Sequence, residues 1–114
     1  MLKKRNPLKL NPLQLRTLTI LQALVETDGA GEPGPGQGEY TIRRFPGQHA
    51  DHFHIGEFVA SGSDATGLFN ESVWNALARK GLARSDWPAA LILTAEGLTY
   101  ETGLAGEILH RGSH

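Results

Sequence analysis

Three imidazoles, His49, His52 and His54, crowd one short stretch with Asp51 between them and Glu57 just beyond. Neutral imidazole and carboxylate are ligands for zinc, nickel and iron. In a strand, residues two apart face the same side, so His52 and His54 can share one ion. Their order reverses the His-x-His-x-Asp-His run of metallo-hydrolases, and no distant further ligand is evident. The expectation is therefore no metal and no other cofactor: a pair of strand histidines making hydrogen bonds, with His49 on a loop. Ser61 and Ser63 follow closely. A serine nucleophile needs a partnered base in a defined geometry, and no glycine pattern of a nucleophile elbow surrounds them. With no cysteine in the chain, thiol catalysis, thiolate metal sites and disulfides are excluded. The chain is not expected to be an enzyme.

A second polar group is set out along the segment from Asn70 to Arg84. Asn70 caps a helix to Lys80, and Gly81 supplies the residue that ends it. On a helical wheel Val73, Trp74, Leu77 and Ala78 share one face, while Ser72, Asn75, Ala76 and Arg79 share the other. Lys80 and Arg84 follow, and Lys3, Lys4 and Arg5 start the chain.

The elements that position these groups are legible in outline. Asn11 caps, and Pro12 begins, a first helix that runs to about Glu26 and ends at Asp28-Gly29. Its apolar arc holds Leu13, Leu18, Ile20, Leu21, Leu24 and Val25, with Arg16, Thr19, Gln22 and Ala23 opposite. Glu39–Phe45 alternates as a strand, Pro46-Gly47 turns, and His52–Ile55 is a second short strand. Gly56–Ser61 reads as one or two helical turns, and 62–69 as a turn region. Ala83-Arg84 and Ala90–Thr94 read as strands joined through Ser85-Asp86-Trp87-Pro88. Thr94 caps a last helix over 95–110, weakened by Gly97, Gly103 and Gly106.

The order helix, strand, short helix, turn, helix, hairpin, helix resembles a winged helix-turn-helix domain over Ile55–Tyr100. It is similar to bacterial transcriptional regulators of the multiple-antibiotic-resistance type. Ile55-Gly56-Glu57-Phe58 resembles the strand leading into the first helix of the helix-turn-helix. Val73–Leu82, with its Lys80-Gly81-Leu82 exit, resembles the recognition helix. Leu93-Thr94-Ala95-Glu96-Gly97 resembles the step from the wing into the next helix. The resemblance implies an α+β fold, a helical core with a small antiparallel sheet and a β-hairpin wing. It implies duplex DNA as the partner, with flanking helices joining two copies as a homodimer. A recognition helix of this kind would set Asn75 against adenine and Arg79 against guanine. Ser72 would donate to a phosphate or a base edge, and Ala76 would lie on the same face. Lys80, Arg84 and Lys3–Arg5 would meet phosphates. The alternative reading is the same fold used as a protein-interaction module without DNA binding.

Charge distribution leaves both readings open. The net charge of −1 sums unlike regions. Residues 1–25 hold Lys3, Lys4, Arg5, Lys9 and Arg16 and no acid, whereas 26–66 hold many acids against Arg43 and Arg44 alone. Residues 67–84 are basic again, so local fields rather than the total decide what binds. Thr27–Glu39 is mostly glycine and proline and acidic; it reads as a mobile loop unable to form helix or ladder, and it lacks the Gly-Lys-Ser/Thr of a phosphate loop. The 114 residues allow one domain, placed at 12–110 behind a basic arm of 1–11, with Arg111–His114 set aside as the start of an expression tag. The longest apolar run is far too short to cross a bilayer, and no secretory signal is present, which points to the cytoplasm.

Overall fold

The computed structural model describes residues 6–27, 29–49 and 51–111, with only the backbone of Gln48 and His49. Two four-stranded antiparallel sheets pack around one helix. That helix, α1 (Pro12–Glu26), begins as its sequence dictates. The Asn11 side chain accepts from the Gln14 amide, and Gln14 reaches back to the Asn11 amide, closing a capping box.

Residues buried along α1 are Thr17, Leu18, Thr19, Ile20, Leu21, Ala23 and Leu24, which run around the helix rather than along one stripe. The opposite face expected to be polar is covered as well. Gln22 there donates to the carbonyls of Gly97 and Tyr100. α1 is a central helix, and its apolar arc lies in the chain's own core, as does Ile108. These are the surfaces expected to join two copies.

The first sheet is ordered β1-β2-β7-β6, from β1 (Gly31–Pro33), β2 (Tyr40–Ile42), β6 (Ala83–Asp86) and β7 (Ala90–Leu93). β1 corrects the reading of 27–39 as a loop that forms no ladder. Gly31, Glu32 and Pro33 pair with Ile42, Thr41 and Tyr40. An edge strand tolerates proline, since one side of it needs no donor. The turn behind it closes through Gly34 N–H to the Glu39 carbonyl at 2.8 Å.

The second sheet is ordered β3-β4-β5-β8, from β3 (Gln48–His49), β4 (His52–Ile55), β5 (Phe58–Ser61) and β8 (His110–Arg111). The helical turns expected over Gly56–Ser61 are instead strand β5. Ile55 pairs with Phe58, and Gly56-Glu57 make a two-residue hairpin turn. Gly56 holds φ +58, and a Cβ there would stand 2.8 Å from the Thr27 carbonyl oxygen, so glycine is required twice over. Ile55–Phe58 is thus a hairpin rather than a strand entering a helix. Two short 3-10 helices, Gly62–Asp64 and Thr66–Phe69, occupy the expected turn region.

α2 (Glu71–Arg79) ends through Gly81 at φ +79. The single helix expected over 95–110 is split into α3 (Ala95–Thr99) and α4 (Ala105–Ile108). Tyr100 turns extended because it is held elsewhere: its hydroxyl donates to Asn6 Oδ1 and accepts from the Leu8 amide. Arg111, set aside with the terminus, pairs with Phe58 in β8 and meets Glu57 at 2.8 Å. Its neighbours 112–114 lie outside the described residues. The architecture is mixed α+β, and no helix among the described residues is long and apolar enough to cross a membrane.

Candidate nucleic-acid interface

Helix α2 starts at Asn70, whose Oδ1 accepts from both the amide and the hydroxyl of Ser72, at 3.0 and 2.7 Å. The Ser72 proton is therefore engaged in the cap and is not free to donate outward. Val73, Trp74 and Leu77 are buried against the core, and Asn75, Arg79 and Lys80 are exposed. Ala76 is only 6% exposed, so its expected place on the outer face is corrected. It joins Val73, Trp74 and Leu77 in a buried stripe wider than the wheel suggests, on a helix that packs against β6.

Trp74 fixes the helix to the hairpin formed by β6 and β7. Its indole N–H donates to the Leu68 carbonyl at 3.0 Å. Its ring meets Phe45, tilted, at 5.4 Å between centroids, and Trp87, in the hairpin turn, edge to face at 4.7 Å. Such contacts contribute about 0.5–1.5 kcal/mol beyond area burial and set a mutual orientation.

The exit of α2 is locked just as firmly. Thr94 Oγ1 donates to the Gly81 carbonyl and accepts from the Gly97 amide, while the Thr94 amide donates to Leu82. A Cβ on Gly97 would collide with the Leu82 carbonyl. The Lys80-Gly81-Leu82 and Leu93-Thr94-Ala95-Glu96-Gly97 segments, distant in sequence, are therefore one contact.

Of the expected cations, Arg79 and Lys80 are exposed and carry no ion pair among the described residues. Arg84 differs. Both of its terminal nitrogens lie 2.7 Å from the carboxylate oxygens of Glu39 in a bidentate pair. The Arg84 guanidinium holds the Glu39 carboxyl below its usual range, and Glu39 in turn raises Arg84. Arg84 thus carries a competing carboxylate partner that no local signal announces, since Glu39 lies 45 positions away.

Arg44 was missed by sequence reasoning. It is exposed, has no ion pair among the described residues, and directly precedes Phe45, which packs on Trp74. Lys3, Lys4 and Arg5 lie outside the described residues. Negative charge is present too, on exposed Glu71 and Asp86.

The histidine segment forms a separate surface. Phe53 and Ile55 face inward from β4, and His52 and His54 face out. Their Nε2 atoms approach to 3.2 Å. β3 sets His49 opposite His52, although its side chain lies outside the described atoms. Ser61 is the register partner of His52, but its hydroxyl donates to Asp64 Oδ2 and accepts from the Asp64 amide, the arrangement of a helix cap. Among the described residues, no group of three or more His, Cys, Asp or Glu side chains gathers to hold a metal ion. Comparison with protein-family models, with curated proteins and with solved structures finds no match to this chain.

Proposed function

We propose that this protein is a DNA-binding module of the winged-helix kind that acts in transcriptional regulation in the cytoplasm. In this reading α2 enters the major groove and the hairpin of β6 and β7 is the wing. The observation that carries the reading is the division of α2. One face is buried through Val73, Trp74 and Leu77, the other offers Asn75, Arg79 and Lys80, and Trp87 ties the hairpin to the buried face. Asn75 and Arg79 are the base-reading pair, for adenine and guanine. Lys80, Arg44 and the basic residues Lys3–Arg5 neutralise phosphates. Ser72 serves the helix cap, Ala76 the packing, and Arg84 the sheet edge.

The test is anisotropy of labelled duplex DNA from a random pool, titrated at low and at physiological salt. Binding should weaken steeply with salt. Arg79→Ala should lose about 1–3 kcal/mol on selected sequences and less on random ones, and Lys80→Ala should lower the salt slope by about 1. Absence of binding to any duplex at low salt would sink the proposal. That outcome would favour a protein-interaction module, for which the specific support is Phe69. It is 55% exposed, the exposed large hydrophobic side chain among the described residues.

A further inference from the structure

We propose that His52 and His54 form a surface chelate for a divalent transition-metal ion of the imidazole-preferring kind, with zinc as the reference case. The chelate is carried by a strand with little freedom. β4 is an inner strand, hydrogen-bonded to β3 on one side and to β5 on the other, and Phe53 and Ile55 anchor its inward face in the core. Its outward positions therefore project two imidazoles from a fixed backbone, the condition for a site with defined geometry.

The spacing of the donor atoms fits an ion. Zinc binds imidazole nitrogen at about 2.0–2.1 Å in a tetrahedral shell, which sets two such nitrogens about 3.3–3.4 Å apart. The Nε2 atoms of His52 and His54 stand 3.2 Å apart, with ring centroids at 4.9 Å and planes at 79°. Without an ion this approach is a hydrogen bond that needs one ring to donate and the other to accept. With an ion both lone pairs turn onto it, and the Nε2 separation already matches what the metal requires.

Asp51 supplies the outer partner that histidine ligands use. Its Oδ1 lies 4.0 Å from His52 Nδ1, the nitrogen that the chelate leaves unused. The Asp51 side chain is fully exposed and free to close that gap. A carboxylate accepting from Nδ1–H fixes the tautomer that presents Nε2 as donor to the metal, and raises its basicity. With two protein ligands from the described residues, water completes the shell. The site is open and exchangeable rather than a closed structural one. Magnesium and calcium, which prefer oxygen donors, are not its ions. None of this rests on the DNA-binding reading.

The experiment is isothermal titration of zinc chloride into the full chain prepared without a polyhistidine tag. One zinc per chain should bind saturably in the micromolar range, with no uptake of magnesium. His52→Ala and His54→Ala should each weaken binding by at least about tenfold, and Asp51→Asn by less than either. His110→Ala, two strands away on β8, should leave it unchanged. Nitrogen-15 spectra of the wild-type imidazoles give a reading that no variant's folding can obscure: zinc should move the Nε2 resonances of His52 and His54. Zinc uptake only at millimolar concentration, retention of wild-type affinity by either alanine variant, or unmoved Nε2 resonances would each overturn the proposal.

Discussion

Thr94→Val isolates the contact that binds the exit of α2 to the end of the hairpin. Thr94 is 8% exposed, and its hydroxyl makes two bonds, to the Gly81 carbonyl at 2.8 Å and from the Gly97 amide at 3.0 Å. Valine keeps the shape and removes both. Loss of the α3 cap costs about 1 kcal/mol. The Gly81 carbonyl loses a partner beside a buried methyl, for about another 1 kcal/mol. The sum of about 2 kcal/mol corresponds to a melting temperature about 8 °C lower for a domain of this size. Thr94→Ser keeps the hydroxyl and removes one methyl, which costs about 0.8 kcal/mol. Thermal and urea denaturation followed by circular dichroism separate the two variants. If valine melts within about 2 °C of wild type, or if serine loses as much as valine, the hydroxyl does not join the two segments, and the account of why they occur together is wrong.

Gly56→Ala should lose about 2 kcal/mol or more in the same assay, because alanine must adopt φ +58 and press on the Thr27 carbonyl oxygen at 2.8 Å. A neutral result would mean that the turn between β4 and β5 relaxes freely. Acid sensitivity tests the pair of Arg84 and Glu39. The folded-state value of Glu39 is lowered, so its stabilising contribution is present above the ordinary carboxyl value of 4.5 and is lost as pH falls below it. Arg84→Ala should flatten that part of the melting profile while changing DNA affinity less than Arg79→Ala does. An unchanged acid limb would show that the pair does not form in solution.

The sequence by itself determined those features whose physics is local. Asn11 and Pro12 start α1, Asn70 starts α2, and Gly81 ends it, because each cap satisfies orphan backbone groups within a few residues. Two strands joined through Ser85-Asp86-Trp87-Pro88, a short strand over His52–Ile55 with both imidazoles on one side, and the Val73, Trp74 and Leu77 stripe of α2 were legible too, whereas Ala76 was not. Tertiary structure decided whatever depends on a distant partner. The glycine-rich stretch becomes β1 because β2 offers it an edge, and Gly56–Ser61 becomes β5 because β4 pairs with it. The segment after Thr99 leaves its helix because Tyr100 is tied to Asn6 and Leu8. Two charges show the same dependence: Arg84 pairs with Glu39 across 45 positions, while exposed Arg44 keeps no ion pair among the described residues. Periodicity reports which side of an element is apolar. Which groups meet across the core, and which charges are left facing solvent, is set only when segments far apart in the chain compete for the same partners.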